Sequence, residues 1–311
     1  MDRVLVVDKP AGMTSHDVVA KVKRSSGASK VGHAGTLDPG ATGVLLVLVN
    51  RATRLAEFFV GCDKEYHGEI VLGVETDTQD GEGRIVAERD AGAITRAAVE
   101  AAFRLFEGDI SQVPPMYSAL KREGKPLYAL ARRGVVVERE PRSVRVERLE
   151  LLDFRAPSVE FRIVCSRGTY VRTIAADVGG KLGCGAHLGR LARTRVGPFR
   201  LDNALSLEAI VEAGTEIGEI GLSLGESLPF IGRLRLDRGE TDQIAFGKSI
   251  VIDRRRVEGP DTGGDLAEEP ARLVRLLGPE GDLAAVARIE TRPGDPPEVA
   301  ACPVRVFCTP E

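Results

Sequence analysis

One carboxylate stands apart by its setting. Asp38 lies in residues 31–45, VGHAGTLDPGATGVL, which hold four glycines, one proline, one histidine and no other acid. Glycine admits backbone conformations closed to other residues and proline fixes φ, so the stretch reads as a shaped loop. It runs into the apolar residues 44–49, a buried strand. Such a loop can hold Asp38 in one orientation at the mouth of a cleft, where a carboxylate has the chemistry of a nucleophile or a base. The same Asp could instead stabilise the turn through an Asx-type hydrogen bond. Two phosphate-binding readings of the glycines fail. No G-x-x-x-x-G-K-[ST] is present, and no G-x-G-x-x-G follows the first strand.

Composition sets the frame for that loop. A chain of 311 residues with ordinary apolar and charged fractions can bury a sizeable core and form two domains. No run approaches the roughly 18–20 apolar residues of a membrane span, and acids interrupt the N-terminal apolar run, so neither a membrane span nor a signal peptide is expected and the cytoplasm is the expected location. Five scattered cysteines form no C-x-x-C pair, which suggests neither zinc nor a disulfide framework. No metal or cofactor is called for. The net charge is −3, yet residues 121–200 carry 18 Lys and Arg against 8 Asp and Glu. Charge this uneven points to one basic face for a polyanion, or to a sheet with solvated arginines.

The elements that must position the loop can be read in order. Residues 3–7 form a strand, and Lys9, Pro10 and Gly12 a turn. Thr14 or Ser15 caps a helix with Val18, Val19 and Val22 at helical spacing. Residues 51–59 form an amphipathic helix, and a strand opens near Lys64 and Tyr66. Residues 77–83 lack the ligand alternation of an EF-hand and read as a polar turn. A helix capped by Thr95 runs to Phe106. Residues 112–128 are basic and proline-punctuated, with two tyrosines, which suits an irregular element closing over RNA; Arg132 and Arg133 follow on a short helix. Alternating apolar residues mark strands at 143–154 and 158–164, and a helix continues to Leu182, with Arg172 in its first turn. Beyond a glycine-dotted connection at 214–228, short strands, a helix at 240–246 and a polar loop at 258–270 make a β-rich module of about 80 residues.

Residues 32–43, GHAGTLDPGATG, resemble the catalytic motif of the TruB family of pseudouridine synthases, with Ala34 where the family usually has Thr or Ser. Four further motifs follow in family order. Lys9-Pro10-x-Gly12 resembles the K-P-x-G motif that supports the active-site loop. Lys64-x-Tyr66 resembles the K-x-Y motif, whose tyrosine packs on the target base; Gly68, where Ala is usual, looks a tolerable change. Gly168-Thr169-Tyr170-Val171-Arg172 is similar to G-T-Y-[IV]-R, whose Arg pairs with the catalytic Asp and whose Tyr lines the pocket. Residues 187–199 resemble H-L-x-x-L-x-R-x-x-x-G-x-F, making Leu191 an apolar pocket wall and turning Arg190, Arg193 and Arg195 toward phosphates.

The resemblance covers residues 3–230 and implies an α+β fold: one mixed, largely antiparallel sheet flanked by helices, with the cleft across its middle. It implies a catalytic domain at 1–230, with an RNA-gripping insertion at 108–140, and a PUA-like RNA-binding domain at 231–311. It implies isomerisation of uridine 55 in the T-loop of tRNA, catalysed by Asp38 and needing no cofactor, with Tyr66, Tyr170, Arg172, Leu191 and His33 on the substrate. His33 would fill the space vacated by the flipped base or brace the everted loop; a structural hydrogen bond within the loop is its other reading. The expected partner is the tRNA T-stem-loop, bound by a monomer with no obligate protein partner. A non-catalytic RNA chaperone and a guide-RNA-dependent synthase are the rival readings. The Asp38, Tyr66 and Arg172 set speaks against the first and the insertion against the second.

Overall fold

In the computed structural model, residues 1–310 are described apart from 119, 123, 132, 136, 261–272 and 294–296; at 121, 122, 125 and 126 the backbone alone is described. Arg132 and most of the polar loop expected at 258–270 therefore lie outside the described residues.

β1 (Arg3–Lys9) leads through a turn into α1 (Ser15–Ser26), whose N-cap Thr14 exchanges hydrogen bonds with Asp17 in a capping box. β2 (Val31–Ala34) and β3 (Thr42–Val49) flank the glycine-rich loop. The helix expected over 51–59 is divided: a 3₁₀ segment, Asn50–Leu55, precedes α2 (Ala56–Gly61). Asn50 opens it in a left-handed conformation, φ 52°, so the chain reverses tightly before the helix widens. β4 (Lys64–Leu72) is followed by the hairpin β5 (Val74–Thr76) and β6 (Ile85–Glu88), then α3 (Arg96–Arg104) and β7 (Gly108–Gln112). The excursion after β7 is less irregular than its prolines suggest. It contains the two-residue strands β8 (Lys121–Arg122) and β9 (Lys125–Pro126) and the short helix α4 (Leu127–Ala131), which ends before Arg133. β10 (Arg142–Arg155), β11 (Ser158–Cys165), α5 (Val171–Leu182) and β12 (Ala186–Val196) come next. They are followed by β13 (Phe199–Arg200), β14 (Leu205–Ser206), α6 (Leu207–Ala213) and α7 (Ile217–Ile220).

The main sheet has the order β14-β1-β3-β12-β4-β11-β10-β7, with β2 paired to β3 and β13 to β12. Only the pairs β1–β14 and β3–β12 are parallel, so the sheet is mixed and largely antiparallel. β3 is apolar at every position after Gly43 because both of its faces are covered. Leu45, Val47 and Val49 pack under α1 and α6, while Val44, Leu46 and Leu48 face a second core. On the other half of the sheet, α3 and α5 cover β4, β10 and β11 through Val99, Phe103, Ile174 and Val178 against Ile70, Phe161 and Ile163.

A C-terminal β-rich domain follows. β15 (Gly232–Arg235), α8 (Arg238–Ala245), β16 (Ile250–Val251), β17 (Leu273–Leu277), β18 (Leu283–Arg292) and β19 (Glu298–Val306) form a sheet of order β15-β17-β18-β19-β16. It has its own core around Leu234, Ile244, Val274 and Ala285. Leu277, Leu283, Val286 and Phe307 leave that core and pack with Val4, Leu46, Phe59 and Val196. No helix among the described residues is long and apolar enough to cross a membrane.

Candidate active site

Asp38 is carried by the loop between β2 and β3, and the loop is tied down from below. The Lys9 ammonium, fully buried at the end of β1, donates to the carbonyls of Pro39 (3.2 Å), Met13 (2.6 Å) and Pro10 (2.9 Å). The Gly12 amide donates to the Pro39 carbonyl at 2.9 Å. Ser15 accepts from the Leu37 amide at 2.9 Å, and its hydroxyl lies 3.2 Å from the Leu37 carbonyl. The loop is therefore held by charge-assisted and neutral hydrogen bonds from residues at the start of the chain, which pre-sets the carboxylate. Pro10 contributes backbone shape and a carbonyl for Lys9.

Arg172 comes from the first turn of α5 and meets Asp38 side-on. Its Nε lies 2.9 Å from Asp38 Oδ2, and Nη2 lies 3.3 Å from Oδ1. Its Nη1 donates to the Thr78 carbonyl (3.1 Å) and approaches Asp80 Oδ2 (3.4 Å), and Nη2 donates to the Tyr117 carbonyl (2.8 Å). The Arg172 side chain is 6% exposed; that of Asp38 is 46% exposed. Water reaches the carboxylate through the cleft mouth while protein surrounds it elsewhere. Burial pushes the Asp38 pKa up, Arg172 pulls it down, and nearby Asp80 pushes it up again, leaving it above the ordinary value of 3.8.

Around this pair is a cleft of about 260 Å³, lined by the 35–38 segment, Lys64, Tyr66, Ser118, the 166–172 segment, Leu191 and Arg193. That is just below the 300 Å³ or so where pockets for drug-sized ligands begin, and it suits a single base or nucleoside. Tyr66 enters from β4, and burial raises its phenol pKa above the ordinary 10.0. Leu191 enters from β12. Between Leu188, opposite Ile70, and Leu191, opposite Gly68, β12 carries one residue more than β4. This bulge re-aims Leu191 at the cleft. Tyr170 caps α5 from outside the helix, held by a reciprocal pair in which its amide donates to Gln112 Oε1 (2.8 Å) and its carbonyl accepts from Gln112 Nε2 (3.1 Å). Buried Lys64 donates to the carbonyls of Val60 (2.7 Å) and Cys62, and desolvation lowers its pKa to about 8.

The structure thus gathers Asp38, Tyr66, Tyr170, Arg172 and Leu191 on one cleft, over the central strands β12 and β4. His33 lies on β2, outside the cleft lining, with its ring centroid 6.1 Å from that of His16 in an edge-on arrangement. Burial, aided by His16 and Arg193, lowers its pKa and favours the neutral ring. Its Nδ1 is buried without a hydrogen-bond partner among the described residues, so the loop hydrogen bond considered from sequence does not form there.

One expectation needs correction. Arg193 does not face phosphates: it is 1% exposed, and its guanidinium points under the loop. Arg195 is largely covered and pairs with Asp63 at 2.6 Å, while exposed Arg190 pairs with Glu69 at 2.8 Å. Arginines on a strand alternate between faces, and a run of them says nothing about which face is buried. Gly68 fits a crowded position. A Cβ there would lie 2.8 Å from both the Arg190 carbonyl oxygen and the Phe161 ring. Sequence reasoning also missed the role of Asp80, and it gave Ser15 and Arg193 roles other than holding the loop. Asp80 was hidden in a stretch read as a polar turn. It is that turn, with Oδ1 accepting from Thr78 (2.6 Å) and the Glu82 amide (3.1 Å) while Oδ2 faces Arg172. Among the described residues no cluster of His, Cys, Asp and Glu could hold a metal ion.

Residues 23–171 match the family model described as TruB family pseudouridylate synthase (N terminal domain), and residues 172–219 match that of the tRNA pseudouridylate synthase B C-terminal domain. A protein named tRNA pseudouridine synthase B from Symbiobacterium thermophilum is 56% identical over 229 residues, 73% of this chain and 77% of the relative. A protein of the same name from Syntrophotalea carbinolica is 44% identical over 293 residues, 94% of each chain. Among solved structures, a chain from a Cbf5–Nop10–Gar1 complex superposes with a TM-score of 0.74 at 25% identity, covering 99% of this chain and 87% of that one.

Proposed function

The chain belongs to the TruB family of pseudouridine synthases, and we propose that it isomerises uridine 55 in the T-loop of tRNA to pseudouridine with Asp38 as its catalytic carboxylate. The observation that carries this reading is the side-on Asp38–Arg172 pair at the bottom of a base-sized cleft.

The reaction breaks the N1–C1′ bond, turns the uracil and joins C5 to C1′; the proton lost from C5 is balanced by one gained at N1. Composition and oxidation state are unchanged, so no redox group or activated donor enters. Departure of the base builds positive charge on the sugar, as in glycoside hydrolysis, and one ionised carboxylate can answer it. Attack on C1′, attack on the base and removal of the 2′ proton are the three actions open to Asp38. Each requires the anion, which Arg172 favours against burial. Leaving the RNA stack costs a few kcal/mol. Tyr66 restores part of the lost stacking, Leu191 and Tyr170 wall the pocket, and His33 fills or braces the everted loop. Lys9 and Pro10 hold the loop.

The T-stem-loop is gripped by the basic segment and the 108–140 insertion, whose Tyr117 carbonyl already touches Arg172. Residues 1–230 form the catalytic domain; the C-terminal family match, ending at 219, falls inside it. Residues 231–311, with a core of their own, act as a PUA-like RNA-binding domain. We assign the enzyme to the cytoplasm as a monomer acting without a protein or guide-RNA partner.

The test is the Asp38→Asn variant beside wild type on an unmodified tRNA transcript with no other RNA or protein present. Wild type is expected to form pseudouridine at position 55, and the variant to bind the transcript and form none. Binding by wild type without product would shift the reading to a chaperone or a guided enzyme.

A further inference from the structure

Arg193 is a buried cation without a carboxylate. Among the described residues no acid lies within ion-pair distance of it, and its charge is met by main-chain carbonyls. Nη2 donates to Gly35 (2.9 Å), Nη1 reaches Thr36 (3.4 Å), and Nε donates to Val44 (2.7 Å). Gly35 and Thr36 precede Asp38 in the loop; Val44 follows it. One planar guanidinium, its donors spread over three nitrogens, therefore ties the two limbs of the loop together, whereas a lysine would offer all its donors from a single point.

The backbone of the same residue does the rest. β12 pairs with β3 only at Ala192–Thr42 and Arg193–Gly43, and on its other side Arg193 stands opposite Tyr66 of β4. Gly43 has φ +96°, and a Cβ there would lie 2.3 Å from the Arg193 carbonyl oxygen. The last glycine of the loop motif is thus explained by the close passage of Arg193. The guanidinium also stands beside the Tyr66 hydroxyl and works against the upward push of burial on that phenol.

We infer that Arg193 is a positioning residue for the reaction: it clips both limbs of the 35–44 loop to the strand beside Tyr66, so that the carboxylate and the tyrosine keep a fixed separation. This rests on Asp38 being the catalytic carboxylate. A displacement near 1 Å at a reacting group costs about 100-fold in rate, and the effect belongs to the chemical step because the side chain, 1% exposed at the back of the cleft, offers RNA almost no surface to bind.

The experiment compares Arg193→Lys, Arg193→Ala and Asp38→Asn with wild type on a tRNA transcript, measuring Tm, Kd and the single-turnover rate of pseudouridine formation. Arg193→Lys is expected to lose about 100-fold in rate with Kd within about twofold of wild type. Arg193→Ala is assayed with added methylguanidinium, which fits the vacated volume, and with methylammonium as control; recovery of rate by the first alone is expected. A folded Arg193→Lys with the wild-type rate overturns the inference. So does weakened tRNA binding at an unchanged rate, which would mark a phosphate contact, and so does a rate in Arg193→Ala that methylguanidinium does not restore. Product from Asp38→Asn would instead overturn the catalytic reading of Asp38, so the two failures are distinct.

Discussion

Every nitrogen of the Arg172 guanidinium is engaged: Nε and Nη2 with Asp38, Nη2 also with Tyr117, Nη1 with Thr78 and Asp80. Asp38 and Asp80 compete for one cation, and Asp80 adds repulsion that raises the pKa of Asp38. With Asp38 as the proposed catalytic carboxylate the working form is the anion, so the rate should rise with pH through the Asp38 pKa, on a limb lying above 3.8. Asp80→Asn removes the repulsion and should move that limb toward lower pH. It also removes one charge-assisted partner of a buried cation, worth about 1.5–3 kcal/mol, so the plateau rate should fall by about tenfold or more. A limb that stays in place while the plateau drops would mean that Asp80 orients Arg172 without acting on the charge of Asp38. Asp38 and Arg172 could be paired in the sequence because each sits in a distinctive motif. Asp80 could not, because nothing local tells an acid that shapes a turn from one that also meets a distant cation, and Arg193, although it is the Arg of the H-L-x-x-L-x-R motif, reads there only as a phosphate contact. Nor does an arginine-rich strand reveal which arginine is buried.

The strands and helices were legible where an apolar period met a clear boundary. Thr14 and Thr95 cap helices as their positions suggest, and the alternation in β10 and β11 survives in the burial of Val144, Val146, Val159, Phe161 and Ile163. The 3₁₀ segment at Asn50–Leu55 was not legible, since its apolar spacing also fits an α-helix. Nor was the β12 bulge, which depends on how that strand registers with a partner more than a hundred residues earlier. Gly68 belongs to this scale. It lies opposite Leu191 at the bulge, with the Arg190 carbonyl and the Phe161 ring occupying the space of a side chain. Gly68→Ala should cost about 1–3 kcal/mol through overpacking, measured by urea denaturation. The Phe161→Leu partner change should recover part of that loss, since a smaller side chain yields room on one of the two sides. A cost that the double variant leaves untouched would place the whole conflict on the Arg190 main chain.

At the scale of the whole molecule, the C-terminal domain is joined to the main sheet by a shared core. Phe307 is 3% exposed and packs in the same cluster as Val4, Leu46 and Phe59. Arg54 lies over its ring at 4.9 Å, and Arg51 donates to its carbonyl at 2.6 Å. The 3₁₀ segment that displaced the expected helix supplies both arginines, so an element the sequence hid is also the one that docks the domains. Val44, Leu46 and Leu48 of β3 face this junction, one strand position from the residues that carry the active-site loop. A rigid attachment is therefore expected, with the two units unfolding together. Phe307→Ala removes a ring from that junction and should cost about 3–5 kcal/mol. Thiol labelling during denaturation can follow each unit separately, because Cys165 is buried in the core of the main sheet and Cys308 packs against the C-terminal one. In wild type both thiols should become reactive at one denaturant concentration. Phe307→Ala should move both midpoints downward together if the shared core couples the units. If only Cys308 shifts, the catalytic sheet keeps its stability without the C-terminal domain, and the apolar face of β3 is satisfied by its own neighbours.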